Sequence, residues 1–124
     1  MGRVVHFEIT ADDVERAKTF YKVFDWNIVD AGMPGGEYWL AKTGEGIGID
    51  GAIMPRSYSA QPTINTISVE NLDDMIEKVK AAGGKIDGEK NTIPEVGDFV
   101  YAWDTEGNRF GMLQPLPMQD GDKA

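Results

Sequence analysis

Apolar residues recur along this chain with two different periods. In DDVERAKTFYKVF (residues 12–24), Val14, Ala17, Phe20, Tyr21 and Phe24 fall on one helical face, and Asp12 or Asp13 stands where an N-cap belongs. NLDDMIEKVKAAGG (71–84) repeats the pattern: Leu72, Met75, Ile76 and Val79 form the stripe, Asn71 is the cap, and Gly83 and Gly84 supply a left-handed stop. Both helices are expected to pack one face on apolar partners. Around them the period falls to two. VVHFEI precedes the first helix and WNIVDA, EYWLAK and GIGIDGAIM follow it; TINTISV precedes the second, and a stretch near KIDGE, then FVYAWD and RFGMLQ, follow that one.

Each half therefore reads strand, helix, strand, strand, strand. The Pro-bounded segment PRSYSAQP joins them. The predicted class is α+β, with module one at about 3–54, a linker at about 55–62, module two at about 63–115 and a mobile acidic tail at 116–124. An offset of 58 lays Ile67-Ser68-Val69 on Ile9-Thr10-Ala11, so the duplication rests on element order more than on identity. Alternation assigns faces: Val5, Phe7 and Ile9 oppose His6 and Glu8, Ile67 and Val69 oppose Thr66 and Ser68, and Phe110 and Met112 oppose Arg109 and Gly111. The helices cover the apolar sides. His6, Glu8, Thr66, Ser68 and Arg109 are left to face a concavity.

Composition narrows the chemistry. At 124 residues with 41% hydrophobic content the chain suits a single domain. It has no cysteine, so disulfides, thiolate nucleophiles and zinc ribbons are excluded, in keeping with a reducing cytoplasm. No stretch has the length of a signal peptide's apolar region or a membrane span, so a soluble, unprocessed protein is expected. A net charge of −9 with scattered Lys and Arg disfavours nucleic acid as a partner.

His6 is the only histidine, and with Glu8 two residues on it forms either a strand-face ion pair or a base held by a carboxylate. Arg109 is a candidate receptor for an anionic group or a member of a solvated salt bridge. Tyr38, Tyr101, Trp39 and Trp103 lie on strands and combine apolar rings with polar tips, which suits a ligand surface as well as a core. GIGIDG (46–51) matches G-x-G-x-x-G by letter, yet Pro55 follows and leaves no helix N-terminus for a pyrophosphate. Ser57, Ser59 and Ser68 lack a nucleophile elbow.

HFEI-x-x-DD-x-E-x-AK-x-FY-x-x-FDW at residues 6–26 and DTEGNRFGMLQ at 104–114 resemble the vicinal oxygen chelate superfamily, which includes glyoxalase I, extradiol dioxygenases and bleomycin-resistance proteins. The resemblance covers about residues 4–115 and is nearest to small glyoxalase-like members ending in FG-x-x-Q. It implies two βαβββ modules forming a curled mixed sheet around a cleft, in a homodimer. It also implies four inward metal positions, which fall here on His6, on Gly51 or a neighbour, on about Ile64 (Asn65 if the register slips), and on Gly111, seven residues after Asp104. One imidazole with two glycines is too few donors for zinc or non-haem iron; Glu8, on the same face, could add a second ligand, and Asp50 a third only under a shifted register.

The resulting expectation is a metal-free protein that binds a small organic ligand through Thr66, Ser68, Arg109, Tyr38 and Tyr101, with no cofactor. Gly51 and Gly111 are expected to open room for that ligand. The alternatives are a metal-dependent lyase or dioxygenase with a divalent ion, a metal-independent isomerase or lyase using His6 and Glu8 as catalytic pair, and a partner-binding subunit with a long apolar patch.

Overall fold

Residues 2–34 and 36–117 are described by a computed structural model, and among them the chain forms two α-helices and eight strands. The first module, Val4–Asn65, contains β1 (Val4–Ala11), α1 (Val14–Tyr21) with a 3-10 turn at Lys22–Phe24, β2 (Asn27–Asp30), β3 (Trp39–Lys42) and β4 (Gly51–Pro55). β5 (Thr63–Ser68) carries the chain into the second module, which runs from Thr66 onward with residues 2 and 3 and contains α2 (Leu72–Ala81), β6 (Lys85–Ile93), β7 (Gly97–Trp103) and β8 (Arg109–Pro115). The α+β class and the doubled strand-helix-three-strand order are as the periodicity predicts. Most of the tail expected to be mobile, residues 118–124, lies outside the described residues.

Within the first module the strand order is β2-β3-β4-β1, antiparallel except for the parallel β1–β4 pair, in which Phe7 faces Gly51, Glu8 faces Ala52 and Ile9 faces Ile53. Asp13 caps α1 by accepting from the Arg16 N–H at 3.0 Å. The helix covers Ile9, Ala11, Ile53 and Trp39 with Val14, Ala17 and Tyr21. Lys18 is also on this side: its Nζ stands 3.1 Å from the Trp39 ring centroid and 3.0 Å from Glu15, so the cation is placed on an aromatic face with a carboxylate beside it. Phe20 and Phe24, predicted for the buried stripe, are exposed. For Phe24 the cause is the change to a 3-10 turn after Tyr21, which ends in left-handed Asp25 (φ 63°) and breaks the helical phase; Phe20 lies within α1 itself, off the face that buries Val14 and Lys18. Phe24 instead leans on Tyr21 and Trp26, whose rings stack at 5.0 Å.

The second module orders its strands β5-β8-β7-β6. Asn71 caps α2 through the Asp74 N–H at 3.0 Å, Gly83 adopts φ +99° after the last turn, and the Gln114 side chain accepts from the Leu72 N–H at 2.8 Å. Leu72, Val69, Val100, Ala102 and Met112 form a fully buried cluster under the helix, joined by Met75, Ile76 and Val79. The D-x-EGN motif has a structural role as the β7–β8 turn. Asp104 accepts from the backbone N–H groups of Asn108 (2.9 Å) and Glu106 (2.8 Å), which hold its carboxyl below the usual carboxylate range, while Gly107 takes φ +81°.

GIGIDGAIM was read as one strand, but β4 begins only at Gly51. Gly44, Gly46 and Gly48 adopt φ of +131°, +92° and +139°, a region that favours glycine, and the ends of this loop are tied where Asp50 accepts from the Thr43 N–H at 2.8 Å.

Leu72→Ala is expected to cost about 2–5 kcal/mol by leaving a cavity under α2, and Asn71→Ala about 1 kcal/mol through loss of the cap. Urea unfolding of the two variants checks both values, and the larger loss belongs to Leu72.

Candidate functional site

On β1 the side chains opposite α1 are His6, Glu8 and Thr10. Trp39 packs toward the helix, so the preceding residue, Tyr38, turns to the other face and meets His6 and Glu8. Tyr38 donates its phenolic proton to Glu8 Oε2 at 2.6 Å, and its oxygen lies 2.8 Å from His6 Nε2. A phenol has one proton. With that proton given to Glu8, the oxygen must accept from His6, so Nε2 carries a hydrogen and in the neutral ring the lone pair is on Nδ1. Glu8 is buried and His6 half-buried, so the relay is shielded from bulk water.

Burial holds the His6 pKa below its ordinary value of 6.5, against the upward pull of Glu8 and then Asp50. The influence of Asp50 follows from register. Because Phe7 faces Gly51, alternation turns Asp50 and Ala52 to the side of His6 and Glu8, and Gly51 to the side of Phe7. Asp50 is the carboxylate that the sequence reading admitted only under a shifted register; the observed register supplies it, engaged with Thr43.

The positions implied for a family-type metal are otherwise occupied. A Cβ at Gly51 would collide with the ring and backbone oxygen of Phe7, and one at Gly111 would come 2.5 Å from the Phe99 ring and 3.0 Å from Thr66 Oγ1. The two glycines therefore leave no open room, contrary to expectation: aromatic rings fill both places. Ile64 is buried and apolar, and Asn65 is exposed. Among the described residues no group of three or more His, Asp or Glu side chains gathers where it could hold a cation. As arranged, these side chains do not present the three-donor set of a catalytic zinc or non-haem iron.

The second module brings together the remaining candidates. Trp103 faces Arg109, Tyr101 faces Gly111 and Asp87 faces Tyr101 across β8, β7 and β6. Arg109 donates from Nε to Asp87 at 2.8 Å and lays its guanidinium 3.8 Å over the Tyr101 ring. Asp87 was not foreseen as a partner, since the strand near KIDGE had no assigned face. Thr66 shares the Gly111 side of the sheet, and its buried hydroxyl has no hydrogen-bond partner among the described residues. Ser68 follows two residues on, its N–H bonded to the Arg3 carbonyl at 2.8 Å. A recess of about 460 Å³ at the α2–β6 and β7–β8 turns, lined by Gly83, Lys85, Trp103, Asp104, Thr105 and Gly107, offers mainly turn backbone and holds no acid–base pair like that on β1.

The family model for the Glyoxalase/Bleomycin resistance protein/Dioxygenase superfamily matches residues 3–112. The chain belongs to that superfamily. Among solved structures, a methylmalonyl-CoA epimerase from Mycobacterium tuberculosis is similar with a TM-score of 0.70 and 16% identity, over 92% of this chain and 88% of that one. A superfamily member from Vibrio splendidus 12B01 is similar at 0.67 and 15% identity, over 94% and 100% of the two chains. The "Putative glyoxylase CFP32" of Mycobacterium tuberculosis is 38% identical over 52 residues, 42% of this chain and 20% of that protein, so the match spans one-fifth of the curated relative. At these structural identities the likeness establishes the fold.

Because the folded-state pKa of His6 is depressed, the unfolded chain takes its proton first as pH falls. The stabilising contribution is fully present above 6.5 and is lost as pH drops through the folded value. Glu8→Gln removes the charge that raises this pKa and is expected to lower the His6 midpoint further; NMR titration of the one histidine reads it directly. Thr66→Val exchanges an unpartnered buried hydroxyl for a methyl and is expected to leave thermal stability unchanged or raise it, a result that calorimetry checks.

Proposed function

We propose that the protein binds a small organic ligand on the face carrying His6, Glu8 and Tyr38, by hydrogen bonding and without the superfamily's metal centre. The observation that carries this reading is the proton order of the relay. His6 Nε2 donates to Tyr38 and Glu8 accepts the Tyr38 proton, so the imidazole presents a single lone pair, on Nδ1, and among the described residues no group of three or more His, Asp or Glu side chains gathers to complete a cation's shell. What the relay offers instead is a pre-oriented neutral imidazole beside a carboxylate. That combination suits a ligand with a polar hydrogen or a carbonyl.

The lowered pKa of His6 favours a second reading, in which the same groups move a proton and the protein is a metal-independent isomerase or lyase. A base that is neutral at pH 7 and fixed by its other ring nitrogen has the apparatus for removing a proton next to a carbonyl. The epimerase and dioxygenase activities named for structural neighbours belong to those proteins.

Metal and ligand titrations test the proposal together. With untagged protein, excess nickel or zinc is expected to leave the His6 NMR signals in place and to be removed by dialysis. Members of a panel of small α-keto and aromatic acids are expected to shift those signals, and binding of the same acids, read by titration calorimetry, is expected to be lost in His6→Ala. Stoichiometric metal retained through dialysis, with loss of the His6 resonance, sinks the metal-free reading. Turnover of any panel member by EDTA-treated protein selects the enzymatic one.

A further inference from the structure

We infer that Tyr58, on the connection after β4, is the positioning residue for Tyr38. This rests on the reading that Tyr38 belongs to the binding face. Tyr38 enters β3 from the β2–β3 loop, a stretch with little regular structure, and its hydroxyl must be held within hydrogen-bond reach of two β1 side chains at once. The residue just before it is pinned from outside that loop: the Glu37 N–H donates to the Tyr58 hydroxyl at 2.7 Å. Position 36 has no side chain to stand in the way, since a Cβ on Gly36 would lie only 2.6 Å from the Tyr58 oxygen. The backbone at Gly36 lies outside the left-handed region, so glycine is required there by the approach of the tyrosine and not by a turn.

Tyr58 is itself mounted on β1, the strand that bears His6 and Glu8. The Arg56 N–H donates to the Ala11 carbonyl at 2.8 Å. Its guanidinium reaches Asp12 at 3.0 Å, the Thr10 carbonyl at 3.1 Å and the Thr10 hydroxyl at 3.2 Å. The Tyr58 N–H closes a turn onto the Pro55 carbonyl at 3.1 Å. One short segment thus grips the strand that carries the acid and base, and also grips the backbone next to the phenol that joins them. Support of a polar group by a second set of hydrogen bonds is what keeps such a group within tolerance of its partners.

The readout is the titration of His6, which a generally structural role for Tyr58 would not move. Tyr38→Phe is expected to shift the His6 midpoint by removing its Nε2 partner. Tyr58→Phe keeps the ring, loses only the hydroxyl, and is expected to shift the midpoint in the same direction by a smaller amount. In the Tyr38→Phe background, Tyr58→Phe is expected to add nothing. Gly36→Ala provides an independent route, because its methyl displaces the same hydroxyl; it is expected to reproduce the Tyr58→Phe shift and to have no further effect once that hydroxyl is gone. A His6 midpoint in Tyr58→Phe that coincides with the wild-type value, while Tyr38→Phe moves it, overturns the inference and leaves the proposed binding face standing. A midpoint unmoved even by Tyr38→Phe overturns both.

Discussion

The parallel pairing of β1 with β4 is the constraint on which the candidate site depends. Phe7 opposite Gly51 sets every side chain of the two strands to one face or the other, and a slip of one residue would exchange the faces. The pairing is held sterically as well as by the ladder, because the Phe7 ring occupies the place where any side chain at 51 would go. With the register set this way, His6, Glu8, Asp50 and Ala52 share a surface, and Ile9, Ala11 and Ile53 remain under α1. The chemistry of the site is thus a by-product of an aromatic ring packed over a glycine.

The same device recurs in the second module, where Phe99 covers Gly111. In both places a neighbouring ring takes up the volume that a side chain at the glycine would need, so the space supports packing instead of a cavity. Polar function is then concentrated in groups whose protons are already assigned: Tyr38 to Glu8, His6 to Tyr38, and Arg109 to Asp87. Such arrangements are rigid because each member depends on the next for its solvation.

Much of this was legible in the residues, for identifiable reasons. The stripe Leu72, Met75, Ile76, Val79 and its Asn71 cap were readable because α2 runs uninterrupted, so helical phase persists to its end. The corresponding stripe of α1 differs at Phe24, since nothing in KVFDW signals the tightening that ends the phase, and at Phe20, where the buried face includes Lys18 in place of the apolar ring. Strand alternation placed His6 with Glu8, and Arg109 with Gly111, on the correct sides. It could not place Asp50, because the glycine-spaced letters of 46–50 continue the strand pattern while their backbone leaves it. Tyr38 was a candidate by type, and the alternation with Trp39 would have given its face. That it joins the acid to the base is a matter of three-dimensional distance, which no spacing encodes.

The loop between β3 and β4 combines a tied base with a slack tip. Thr43 and Asp50 clasp its ends, while Ile47 at the summit is fully exposed between left-handed glycines. Closing a longer loop on an existing clasp adds only a few tenths of a kcal/mol for each modest lengthening. This hairpin is consequently the place where descendants of the same scaffold are free to acquire an insertion at almost no cost to the strands.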